Sequence, residues 1–146
     1  MEKITVGCLE ECCLPDLSVD NLLVRIDTGA KTSALHVDNV QRFTKQNKPY
    51  VRFELHPNVY NIDELVQCEL PLIDIRRIKS SNGDVDERYI VQTQFMLAGQ
   101  QWPIEVSLSN REDMNYLMLL GRQGMSGRVL VDPSETFIAS TQSSET

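Results

Sequence analysis

A chain of 146 residues is long enough to bury a real core as one domain. Its 21 acidic side chains outnumber 14 basic ones and leave a net charge of −7. That surface repels phosphate backbones, which argues against nucleic-acid binding and favours encounter with basic peptides or proteins. No apolar run reaches membrane length, and Met1 to Thr5 lacks a charged-then-apolar signal pattern. The expectation is a cytoplasmic protein with no membrane partner. Its four cysteines, Cys8, Cys12, Cys13 and Cys68, are then expected as thiols, and their spacing does not match paired C-x-x-C zinc knuckles.

In chain order, Ile4 to Leu9 reads as a first strand, and Leu14-Pro15-Asp16-Leu17 as a turn or crossover. The strand Leu22 to Ile26 would pair with the first as a hairpin leading to Asp27. This apolar run drives into Asp27-Thr28-Gly29-Ala30 and stops. It would fix a carboxylate at the end of a rigid strand. Gly29, lacking a Cβ, permits a sharp turn, and the Thr28 hydroxyl can bond locally or across an interface.

Ser33 to Val40 reads as the next strand, and Lys45 to Pro49 as a polar turn. Val51, Phe53 and Leu55 then alternate with Arg52, Glu54 and His56, the period of a half-buried strand ended by Pro57. Val66, Cys68, Leu70 and Leu72 alternate likewise, and Pro71, which has no N–H, puts this strand at an edge or marks its end. Asn82-Gly83 is a hairpin signal between arms Ile73 to Lys79 and Arg88 to Leu97. Ala98-Gly99-Gln100 is another tight turn before a strand containing Ile104, Val106 and Leu108. A short helix is predicted over Gln123 to Ser126, and a last strand over Arg128 to Val131. Residues 1–133 thus form one all-β domain, a closed or nearly closed barrel with one short helix near the C-terminal end. Residues 134–146, rich in Ser and Thr, are expected as a loose tail.

Asp27-Thr28-Gly29-Ala30 after an apolar strand resembles the catalytic turn of the retropepsin-like aspartic proteases. Leu119-Leu120-Gly121-Arg122 resembles their late apolar-apolar-Gly-Arg segment, which passes close to that turn. The likeness is closer to a bacterial retropepsin-like family labelled "ATP-dependent zinc protease". It is carried by Arg25 to His36, Val51 to Pro57, Gln101 to Glu105 and Met118 to Arg122, in order from about Val6 to Pro133. One departure is Cys8, where that family usually has Trp. The resemblance also implies an association with an ATP-grasp ligase that adds glutamate to a ribosomal protein's tail.

A retropepsin-like reading implies an enzyme, an aspartic endopeptidase. One Asp-Thr-Gly per chain supplies half a site, so activity would need a homodimer with Asp27 of each copy at the two-fold axis. Two carboxylates about 3 Å apart share one proton, and the pair works as base and acid together. Thr28 would brace the turns across the axis, Gly29 would admit substrate backbone, Ala30 would support the turn, and Gly121 would let the neighbouring strand pack on it. Lys31 stands where retropepsins usually place an acidic or neutral residue, and would favour ionised carboxylate. Lys31, Arg52 and Arg122 are candidates to hold substrate, including a glutamate-rich tail. The flap is expected at the Asn82-Gly83 hairpin or, alternatively, the Asn58 to Glu64 loop.

No cofactor is expected. There is no H-E-x-x-H and no phosphate-binding G-x-x-x-x-G-K-[ST] loop. The alternative is a zinc peptidase with mixed ligands from His36, His56 and Cys68. The absence of G-x-S-x-G, and of any local Cys-His signature, argues against Ser or Cys hydrolysis. The rival in another class is a non-catalytic peptide-binding accessory of the glutamate ligase.

Overall fold

Short apolar alternations separated by Gly, Asn and Pro turns become twelve strands in the computed structural model, which describes residues 3–56, 65–79, 83–109 and 116–140. They are β1 Ile4–Val6, β2 Leu9–Leu14, β3 Val19–Ile26, β4 Ser33–His36, β5 Asp38–Lys45 and β6 Lys48–Leu55. Then come β7 Val66–Pro71, β8 Asp74–Lys79, β9 Val85–Leu97, β10 Gln100–Ser109, β11 Met118–Leu120 and β12 Val129–Val131. One short helix, α1, covers Arg122–Met125.

Six strands close a barrel in the order β9-β10-β4-β11-β3-β2 and back to β9, and β8 hangs on β9 as an edge. The chain is therefore all-β with one short helix, as its turn spacing implies. β11 inserts between β3, to which it is parallel, and β4, to which it is antiparallel. That insertion places Leu120 beside Ile26, one residue before Asp27. A three-stranded sheet β5-β6-β7 adds the side chains of Val51, Phe53, Leu55 and Cys68 to the core. β1 and β12 form a separate parallel pair.

Several boundaries move for physical reasons. The expected first strand breaks at Gly7-Cys8, and the hairpin into Asp27 is made by β2 with β3, joined through a 3-10 turn at Pro15–Leu17. The expected strand Ser33 to Val40 breaks at Val37, where the chain leaves the barrel for β5. Two of the expected turns lie within the described residues and fall in place, whereas Asn82 of the third lies outside them. Gln46 and Asn47 take φ of 52° and 64°, and Ala98 and Gly99 take 53° and 78°, the left-handed pairs that match strand twist.

Residues 134–140 correct the expectation of a loose tail. They run as a strap over β1 and β2, with the Cys8 amide donating to Glu135 O and the Phe137 amide to Leu9 O. The Glu10 carboxylate, 0% exposed, accepts from the amides of Gly7, Ile138, Ala139 and Ser140 and from the Ser140 hydroxyl. A Cβ on Gly7 would lie 2.3 Å from Glu135 O, so only glycine allows this approach. No helix among the described residues is long and apolar enough to cross a membrane.

Candidate functional site

The end of β3 delivers Asp27 because Val24 and Ile26 are buried and β11 lies alongside them. The Asp27 amide donates to Leu120 O at 2.9 Å, which continues the β3–β11 pairing into the turn. The Asp27 carboxylate accepts the Gly29 amide on Oδ1 at 3.0 Å. Its other oxygen makes no hydrogen bond among the described residues. A Cβ on Gly29 would lie 3.3 Å from Oδ1, so glycine there keeps the carboxylate uncrowded. Asp27 is half-buried, while Thr28 and Gly29 are exposed. Among the described residues, the turn therefore leaves one carboxylate oxygen without a partner at the surface.

The first amides of a helix have no partner within it and need one outside. In α1 the turn supplies them: the Arg122 amide donates to Ala30 O at 2.8 Å and the Gln123 amide to Lys31 O at 2.9 Å. Gly121, just before the helix, donates to Ser33 Oγ at 3.0 Å. A Cβ on Gly121 would lie 2.7 Å from the Thr32 carbonyl carbon, a contact no real Cβ makes. Leu119-Leu120-Gly121-Arg122 thus packs against the Asp27 turn and braces it.

The candidate substrate cations separate. Arg122 is not free, since its guanidinium donates to Thr28 O at 2.9 Å and so belongs to the brace. Arg52 lies on β6 in the three-stranded sheet, held by Glu69 at 3.2 Å and stacked on Phe43. Lys31 is exposed and forms no ion pair among the described residues. Both candidate flaps fall largely outside the described residues, which omit 57–64 and 80–82.

The alternative zinc ligands do not assemble. Among the described residues no three His, Cys, Asp or Glu side chains approach closely enough to hold a metal ion. His56 bonds Asp38 at 3.3 Å, and Cys68 is buried against Val66 O. Burial pushes the Cys68 thiol up to about 11, which disfavours the thiolate a metal needs. Residues 36, 56 and 68 therefore do not fit the zinc implied by the family label.

Sequence reasoning assigned no role to Ser33, Arg76, Glu105 or Gln123, yet all four bond to the turn or to its brace. The block Gln101 to Glu105 carried a family likeness and no function. It proves to be the floor under α1. The Trp102 indole, 3% exposed, donates to Gly124 O at 2.8 Å, and the Glu105 amide donates to the Gln123 side chain at 3.0 Å.

A closed six-stranded barrel with one braced Asp-Thr-Gly turn defines a retropepsin-like protein. The chain belongs to the family of the retropepsin-like aspartic endopeptidase RimB, whose model matches residues 5–142. It is 43% identical over 140 residues to a probable alpha-L-glutamate ligase of Shewanella halifaxensis, matching 96% of this chain and 31% of that one. A protein of the same description from Desulfotalea psychrophila is 39% identical over 132 residues, covering 90% and 28%. The chain thus spans under a third of the curated relatives it matches. A crystal structure of a Legionella pneumophila protein of unknown function superposes with a TM-score of 0.78 at 28% identity. That match covers 94% of this chain and 99% of the other.

Proposed function

We propose that this chain is an aspartic peptidase that cuts peptide bonds as a homodimer, with one Asp27 from each copy. The observation that carries the reading is the Asp27 turn. Its carboxylate is oriented through one oxygen by the Gly29 amide, its other oxygen has no partner among the described residues, and its backbone is locked to Leu120. A site preorganised in this way spends little of the reaction's free energy on reorganisation. In the paired site one carboxylate takes a proton from water while the other gives its proton to the substrate carbonyl. The tetrahedral adduct then loses the amine, which leaves with a proton, and the dyad returns to its shared state.

Lys31, exposed and without a carboxylate partner among the described residues, is a cation beside the site that suits an acidic substrate side chain. The relatives described as probable alpha-L-glutamate ligases support a substrate that carries added glutamate, here a glutamate-rich peptide tail. The same names favour one second reading, a peptide-binding accessory that holds such a tail for the ligase without cutting it.

The test incubates wild type and Asp27→Asn with a peptide library that includes glutamate-extended basic tails, with and without chelator. Mass spectrometry reads the products, and sedimentation reads the mass of the protein. Cleavage lost in Asp27→Asn and unaffected by chelator is the expected result. Products that persist in Asp27→Asn, or no products from wild type, would overturn the aspartic mechanism. In the second case tail binding decides the accessory reading.

A further inference from the structure

The turn has two limbs. The one before Asp27 is strand, held by ladder bonds. The one after it, Ala30 to Thr32, is irregular, and a chain without a ladder needs other partners for its polar groups. Those partners form a continuous circuit. The Lys31 carbonyl accepts the Gln123 amide at 2.9 Å. The Gln123 side-chain oxygen accepts the Glu105 amide at 3.0 Å. The Glu105 carboxylate accepts both bonds from Arg76 Nη2, at 2.8 and 3.2 Å. Arg76 Nη1 then donates to Thr32 Oγ1 at 3.4 Å and closes the ring one residue from its start.

Arg76 is the only charged donor in that ring, and its planar fork reaches two acceptors at fixed angles, which a lysine cannot do. It comes from β8, the edge strand, which shares no pairing with β3, β4 or β11. Asp74, two residues earlier on the same strand, accepts from Arg76 Nε at 2.8 Å and aims the fork. Hydrogen bonds to Glu105 and then Asp74 raise the Arg76 pKa above the usual arginine value. With two carboxylates against one guanidinium, the cluster places no uncompensated positive charge beside Asp27. Its effect on the turn is geometric.

We propose that Arg76 is a positioning residue for the Asp27 turn, holding its distal limb at Thr32 directly and at Lys31 through Glu105 and Gln123. The inference rests on the peptidase reading for its consequence in catalysis, and on the circuit alone for its consequence in structure. A limb freed at Thr32 lets the turn drift, and small misplacements of a reacting group carry large rate costs.

The experiment compares wild type, Arg76→Met, Thr32→Val, Thr32→Ser and, as a control, Lys45→Met, whose cation pairs with Glu69 on the three-stranded sheet. Two quantities are read on each full-length protein: amide hydrogen exchange at Ala30, Arg122 and Gln123, and kcat and KM on the peptide cut best by wild type. Arg76→Met and Thr32→Val are expected to speed exchange at the three amides by about tenfold or more. They should lower kcat about tenfold with KM held within about threefold. Thr32→Ser, which keeps the hydroxyl, should restore both, and Lys45→Met should change neither. Unchanged exchange in Arg76→Met, or equal change in Lys45→Met, overturns the proposal. If wild type cuts nothing, the peptidase reading fails while the exchange result still decides the role of Arg76 in holding the turn.

Discussion

Two carboxylates sit on neighbouring strands of the barrel and meet opposite fates. Glu10 on β2 is fully buried, and four amides and a hydroxyl occupy its two oxygens. Asp27, just past β3, is half-buried, and one amide takes one oxygen. Each depends on a glycine that lets another backbone come close: Gly7 under the strap for Glu10, and Gly121 under the turn for Asp27. The construction is the same and the vacancy differs. A carboxylate whose lone pairs are all taken can only hold structure, whereas one with a free oxygen at the surface is available for chemistry.

The contrast makes opposite predictions for activity and stability. Asp27→Asn should lower peptide cleavage by about a thousandfold or more, roughly 4 kcal/mol in the barrier. Its unfolding free energy should stay within about 0.5 kcal/mol of wild type in urea titrations, as expected for a group that supports no packing. Glu10→Ala should do the reverse, costing about 3 kcal/mol of stability by leaving buried amides unpaired. Its loss is limited because the strap can peel away and find water. A Glu10→Ala protein as stable as wild type would break the comparison.

Gly121→Ala probes the shared device. Its Cβ must push the Thr32 backbone, so about 2 kcal/mol of stability should be lost, as in overpacked cores. Activity should fall further than that stability loss explains, because the displaced group is the turn itself. The smallest expected effect concerns the thiols. Burial raises Cys68 to about 11 and raises Cys12 further, with Cys13 and Glu11 adding to Cys12. Alkylation of native protein at pH 8 should therefore label the half-buried Cys8 and Cys13 first. The sign follows for stability: the buried neutral thiol of Cys68 contributes fully below the unfolded thiol range, and its share is lost as pH rises toward 11. Rapid native labelling of Cys68 would show that the three-stranded sheet opens.

What could be read in advance divides along the same line. Asp27 was legible because a strand, an acid and a glycine stand together in sequence, and its brace was legible because Leu119 to Arg122 is contiguous. The strands β6 and β7 were legible from alternation alone. Glu10 was missed, although it shares a face of β2 with Cys12 and Leu14, and an acid in phase with two apolar residues was the available signal. The strap was misread because it binds through backbone amides, and Ser-rich composition says nothing about those. Arg76 and Glu105 come from β8 and β10, which pairing brings to opposite flanks of β9, and no local pattern announces such a meeting.

The pairing of β3 with β11 bears on how the molecule is made. Most of the domain lies between these strands, so the ribosome delivers the Asp27 turn long before its brace exists. Contacts of such long reach form late, after a costly loop has closed. The parallel pair β1–β12 and the strap impose the same delay on the other side of the barrel. A nascent chain therefore holds Asp27 on an unbraced, wandering loop. Whatever this turn does to peptides, it cannot begin until synthesis of the domain is nearly complete.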